Sequence, residues 1–145
     1  KPKIVEQVSI FLENKSGRLA EVCTTLGKHN INIRALCIAD TSDFGILRLI
    51  VDDPTKAQDL LKKNHFVCMV NEVTAVEVED TPGGLARILG LLVDKGVNIE
   101  YMYAFSETHT GRAALIFRFD EPERAVKHLS DAGINVFANV DLMIK

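Results

Sequence analysis

The chain has 145 residues, 47% of them hydrophobic, with 17 basic side chains against 20 acidic ones. That apolar share is ordinary for a globular protein, and no run approaches the roughly 20 apolar residues that a membrane-spanning helix needs. A net charge of −3 and a pI near 5.8 argue against a protein that wraps a nucleic-acid backbone.

Val8, Ile10 and Leu12 alternate with Ser9, Phe11 and Glu13, the pattern of a half-buried strand. Leu19, Val22, Cys23 and Leu26 then recur at helical spacing, with Ser16-Gly17 ahead of them. Asn32 to Ala39 reads as a second strand, with Ile33, Ala35, Cys37 and Ala39 on one face. A turn through Asp43 and Gly45 leads into the apolar strand Ile46–Val51. Asp53-Pro54 opens a second helix, whose inward face includes Ala57, Leu60 and Leu61, and a short strand near Phe66–Val70 closes the set.

The same order then recurs. It runs strand Thr74–Val78, helix Pro82–Lys95, strand Asn98–Phe105, strand Arg112–Phe119, helix Pro122–Ala132 and strand Asn135–Ile144. In the first of these helices Thr81 suits the N-cap, and Pro82 the first helical position, where its missing N–H costs nothing. Shifting the chain by 66 residues lays Glu13, Gly17, Leu19, Ala20, Leu26, Asn32, Ile33 and Gly45 on identical residues. Beyond Gly45 the offset becomes 68, and Asp52, Pro54, Ala57 and Leu61 fall on Asp120, Pro122, Ala125 and Leu129. The chain is therefore read as an α+β duplication, two ferredoxin-like βαββαβ units over residues 1–72 and 73–145. Each places two helices on one face of a four-stranded antiparallel sheet. Val70 to Thr74 contains no Gly, Pro or Ser, so the junction is too short for independent tumbling, and the units are expected side by side.

Little in the chain suits catalysis. His29, His65, His109 and His128 stand in four different local settings, none at metal-ligand spacing with a second His or Cys. No metal and no cofactor is expected. Cys23, Cys37 and Cys68 form no C-x-x-C pair, and with no apolar leader at the start, reduced thiols in a cytoplasmic protein are expected. Two rivals share the topology. An RNA-recognition module would stack bases on Tyr101, Tyr103, Phe105, Phe117 and Phe119, but needs a positive face. An acylphosphatase would need an arginine in the first turn, which Arg18 echoes and Gly84 does not.

What exceeds folding needs is the loop before the first helix of each unit. Asn14-Lys15-Ser16-Gly17 and Asp80-Thr81-Pro82-Gly83-Gly84 put glycine where backbone turns tightly or is closely approached. Behind each loop the first N–H groups of a helix point outward without intrahelical partners, a small anion site suited to a carboxylate or phosphate. Asn32 and Asn98, each opening the next strand, offer both a donor and an acceptor, which fits a zwitterion. The same residues also serve a purely structural purpose as turn and cap formers, which leaves a ligand-free pairing module as the alternative.

Strand, then Glu13-Asn14-Lys15-Ser16-Gly17-Arg18-Leu19-Ala20 into a helix, then Asn32-Ile33 opening a strand, resembles an ACT domain. Glu79-Asp80-Thr81-Pro82-Gly83-Gly84-Leu85-Ala86, with Gly96-Val97-Asn98-Ile99, resembles it again. The resemblance covers nearly the whole chain as two ACT units. It implies a non-catalytic regulatory protein in which paired units form a continuous antiparallel eight-stranded sheet with helices on one face. It implies a free amino acid bound where units meet, its carboxylate at the start of the first helix. Carried over by position, Asn14, Ser16, Gly17, Arg18, Leu19 and Asn32 are ligand-binding candidates in the first unit. Asp80, Pro82, Gly83, Gly84, Leu85 and Asn98 are their counterparts. Ser16 stands where the family commonly has proline, and Asp80 replaces an asparagine, so the two sites are expected to differ. Glu100, Tyr101 and Tyr103, with Asp40 and Asp43, suit a cationic or imidazole side chain such as histidine. The exposed edges of an open sheet give a motive for a homodimer.

Overall fold

The computed structural model describes residues 3–40, 44–104 and 112–138. The expected turn at Asp43, the end of one strand at Phe105, His109, and the run from 139 to Ile144 lie outside them. Two compact units are present. One comprises Glu6–Asn71, and the other Glu72 onward together with the first residues up to Val5; they are called here the N-terminal and C-terminal units.

The N-terminal unit contains β1 (Val5–Glu13), α1 (Arg18–Lys28), β2 (Ile33–Asp40), β3 (Phe44–Val51), α2 (Pro54–Lys63) and the first part of β4 (Val67–Glu79). Its strands lie in the order β2-β3-β1-β4, with β3 antiparallel to both of its neighbours. Val22 and Leu26 of α1 and Ala57 and Leu61 of α2 pack on Ile10, Leu12, Leu47 and Leu49 of the sheet, all buried. Burying such a face against a sheet, at about 25 cal/mol per Å² of apolar surface, is what holds short helices that would fray alone.

The C-terminal unit repeats the arrangement with the second part of β4, then α3 (Gly84–Asp94), β5 (Ile99–Ala104), β6 (Arg112–Phe119), α4 (Pro122–Asp131) and β7 (Val136–Phe137). β4 lies between β6 and β7, and β5 flanks β6, so the spatial order matches that of the first unit. Ile88, Leu92, Ala125 and Leu129 close over Val76, Val78, Phe117 and Phe119.

Seven strands, not eight, are present among the described residues. The strand expected near Phe66–Val70 and the one expected over Thr74–Val78 are a single thirteen-residue element, β4. With no Gly, Pro or Ser between Val70 and Thr74, the extended backbone runs on through Asn71.

The expected common face of Ile33, Ala35, Cys37 and Ala39 is also corrected. The register of β2 on β3 shifts between Ile33 and Ala35. Ile33 packs towards the helices, and beyond the bulge Leu36 and Ile38 take that side, opposite Leu49 and Leu47. β5 carries the same shift between Ile99 and Tyr101, so the bulges at Arg34 and Glu100 are themselves repeated. Periodicity assumes a regular ladder and misassigns every residue beyond such an insertion.

Candidate functional site

Each β-strand-to-helix loop is built on one turn. The N–H of Arg18 donates to the Lys15 carbonyl at 3.3 Å and that of Gly84 to the Thr81 carbonyl at 3.0 Å, closing four-residue turns. Gly17 (φ 89°, ψ −14°) and Gly83 (φ 84°, ψ −6°) occupy the third positions in the left-handed region. Ser16 and Pro82 precede them without positive φ, so both are type II turns, whose third position calls for glycine. Pro82 therefore sits at the second turn position, not the first helical one, and the N-cap is Gly83, not Thr81. The Pro-Gly pair satisfies a type II turn more completely than it would a helix start.

A glycine cap has no side chain to offer the helix, and no side-chain cap bond forms at α1 or α3. The N–H groups of Leu19 and Ala20, and of Leu85 and Ala86, meet no acceptor among the described residues. Two uncapped helix starts with converging amides are favourable places for negative charge. Beside the loop of the N-terminal unit lies a hollow of about 170 Å³. Leu12, Glu13, Asn14, Lys15, Leu19, Ile38, Gly45 and Leu47 line it. Residues 105–111, which follow β5 in the C-terminal unit, lie outside the described residues.

The candidates are distributed unevenly. Asn14 and Leu19 line the hollow, and Ser16 and Gly17 form the turn beside it, exposed. Arg18 turns elsewhere. Its guanidinium lies 4.6 Å from the centre of the Phe66 ring and 2.8 Å from a Glu21 carboxylate oxygen. Asp80 stands exposed just before the second turn, which Pro82 and Gly83 form, also exposed; Gly84 is buried against the end of β4, and Leu85 packs against the core. Asn32 and Asn98 lie at the far end of α1 and α3, about 16 Å away for an eleven-residue helix. Their backbones are clasped there. The N–H of Asn32 donates to the Asp52 carboxylate and that of Asn98 to Asp120, each at 3.1 Å. The carbonyls accept from the N–H groups of the same aspartates.

Glu100 forms an ion pair with Arg118 at 3.5 Å, and Arg118 also donates to the Glu72 carbonyl at 2.7 Å. Phe117 and Phe119 stack on each other inside the helix-side core, where no base could reach them. Sequence reasoning missed Ile38 and Leu47 as walls of the hollow, because the bulge in β2 decides which side Ile38 faces and brings it opposite Leu47. It also missed the aspartate clasp, although the recurrence of Asp52 as Asp120 carried that signal. Cys23, Cys37 and Cys68 are free thiols, and burial raises the pKa of Cys68 against a smaller opposing effect of Lys62. No group of three metal-ligating side chains occurs among the described residues, and no helix there is long and apolar enough to cross a membrane.

Residues 3–144 match the family model of the ACT domain pair, so the chain belongs to that family. It is similar to protein BT0572 from Bacteroides thetaiotaomicron, with 44% identity, a TM-score of 0.92, and coverage of 99% of this chain and 98% of that one. The regulatory subunit of aspartate kinase from Thermus thermophilus shares the fold at 18% identity and a TM-score of 0.63, over 88% of this chain and 91% of that one. The corresponding subunit from Thermus flavus has 17% identity and a TM-score of 0.61, over 92% and 94%. No curated protein matches the chain.

Proposed function

We propose that this ACT pair senses a free α-amino acid, with one unit in residues 1–72 and its repeat in 73–145, in a cytoplasmic, reducing setting. The ligand carboxylate sits on the open N–H groups of Leu19 and Ala20, and its side chain enters the adjoining hollow. The observation that carries this reading is the pairing of uncapped amides with a cavity at their side. Leu12, Leu19, Ile38 and Leu47 give that cavity apolar walls, which favour an aliphatic side chain over a cationic one. Glu100, one of the carboxylates read in the sequence as suited to a cation such as histidine, has Arg118 as an ion-pair partner.

Calorimetric titration with all twenty amino acids tests the reading. Saturable binding of an aliphatic amino acid, lost in Leu19→Asp, supports it; histidine binding in preference rejects the aliphatic assignment. A flat thermal-shift response to every amino acid rejects the sensor altogether, since a ligand held only by the folded state must raise the melting temperature.

The second reading is a pairing module. β2 ends the strand order of its unit and leaves Leu36 and Ile38 exposed at 51% and 44%. A second copy added along β2 would cover them and complete the wall of the hollow, so the homodimer belongs to both readings. Sedimentation of Ile38→Lys as a monomer, against a wild-type dimer, is the expected result.

A further inference from the structure

The two units part company at the start of their second helix. In the N-terminal unit the chain closes the start of α2 itself, since Asp53 accepts from the Lys56 N–H at 3.1 Å. The internal offsets carry Asp53 to Glu121, Lys56 to Arg124 and the buried Val8 to Thr74. Glu121 has nearly the backbone conformation of Asp53, but its side chain is one methylene longer and makes no cap bond. Its carboxylate turns instead to the Arg124 guanidinium at 3.5 Å. Pro122 has no N–H, and those of Glu123 and Arg124 meet no acceptor among the described residues.

The exchange of Val8 for Thr74 acts in the same direction. Thr74 shares the helix-facing side of β4 with Val76 and Val78, where valine suffices for packing in the other unit. It is 1% exposed, and its hydroxyl makes no hydrogen bond among the described residues. A buried hydroxyl left unbonded carries a desolvation cost that an incoming acceptor relieves.

Thr74, Glu123 and Arg124 all line one groove of about 710 Å³, built by the C-terminal unit alone. Ile4, Pro122 and Val126, each half-buried, give it apolar surface. Its charges balance, Lys3, Arg124 and Lys127 against Glu72, Glu121 and Glu123. Lys127 pairs with Asp131 at 3.0 Å, whereas Lys3 makes no ion pair among the described residues. A doubly charged phosphate would meet three carboxylates here. A carboxylate brings a single charge and two acceptor oxygens, which suits the donors present.

We infer that this groove binds a small aliphatic monocarboxylate. One oxygen accepts from the N–H groups of Glu123 and Arg124 and the other from the Thr74 hydroxyl, with the alkyl chain against Ile4, Pro122 and Val126. The dipole of α4 and the charge of Lys3 both favour an anion at that end. The site uses neither loop glycine nor the amides of Leu19 and Ala20, so it does not depend on the amino-acid reading.

Isovalerate is the probe, because it carries the carboxylate and a branched chain but no ammonium. Saturable binding is expected, with the amide signals of Glu123 and Arg124 moving. Thr74→Val, the residue of the other unit, should weaken it about tenfold or more, as loss of a hydrogen bond to a charged group does. Glu121→Asp should rebuild the cap seen at Asp53 and abolish the shifts. Unmoved signals at Glu123 and Arg124, undiminished affinity in Glu121→Asp or Thr74→Val, equal affinity for the uncharged isovaleramide, or tighter binding of inorganic phosphate would each overturn the inference.

Discussion

All four helices among the described residues end on a residue in the left-handed region, and the two units fill those positions differently. Gly96 and Gly133 take φ of 71° and 79° in the C-terminal unit, whereas Asn30 and His65 adopt 60° and 67° in the N-terminal one. Each is followed by a residue whose N–H reaches back to a helix carbonyl, as from Phe66 to Leu61 at 3.0 Å and from Ile134 to Leu129 at 3.0 Å. Asparagine tolerates this conformation, but histidine gains nothing there to offset the crowding of its Cβ. His65→Gly is expected to raise stability by about 0.5–1 kcal/mol in urea unfolding, the strain relieved being partly offset by a more flexible unfolded chain. The converse change, Gly133→Ala, should cost about 1–2 kcal/mol. The turn glycines Gly17 and Gly83 announce themselves in sequence because little else suits that position. The strained His65 does not, since nothing in its neighbours marks where the helix stops. A third expectation at this scale concerns Cys68. Burial disfavours its thiolate, so its alkylation should rise with pH only above the ordinary thiol range, as a pH-dependent labelling rate would reveal.

At the scale of elements, helices and strands were largely legible from apolar spacing, and their ends from Asp53-Pro54 and the turn glycines. Asp53 caps α2 by accepting from the Lys56 N–H at 3.1 Å, as its place before proline suggested. The bulges at Arg34 and Glu100 were not legible, because an inserted residue leaves composition unchanged and only shifts the partner strand's register. The start of β2 and of β5 depends on an aspartate contributed by the end of the neighbouring strand, a link across twenty residues that local patterns do not carry. Asp120→Ala removes the acceptor of the Asn98 N–H and should lower stability by about 1 kcal/mol, measured by thermal unfolding. Asn98→Ala, which keeps its own N–H and carbonyl, should cost much less. A reversed ranking of the two would mean that the asparagine side chain carries a structural bond of its own.

For the whole molecule, the duplication was the most informative reading, since it supplied the fold class without any single strong motif. It also shows where the units part company. Leu26 and Leu92 occupy matched positions and are both buried, at 0% and 1% exposure. Leu26→Ala and Leu92→Ala are each expected to cost about 2–5 kcal/mol, and similar penalties would show that the two cores are equally well packed. The candidate site was only half visible in advance. Its loops could be read from Asn14 to Gly17, but its walls come from strands whose facing depends on a bulge. The tight approach of Gly84 to the Glu79 carbonyl was invisible for another reason: a glycine in sequence does not disclose whether it makes a turn or lets two backbones meet.

β4 runs unbroken from Val67 to Glu79, about 43 Å of extended chain at 3.3 Å per residue. The junction between the copies carries no loop, and strand backbone runs straight through it. Proteolysis needs locally slack peptide, and a strand held in a sheet offers little of it. Brief digestion with thermolysin, which can cut before the Val, Met and Ala residues of this strand, should accordingly leave Val67–Glu79 intact and nick elsewhere first, and inserting a Gly-Ser spacer after Asn71 should create a cleavable point where the native chain has none.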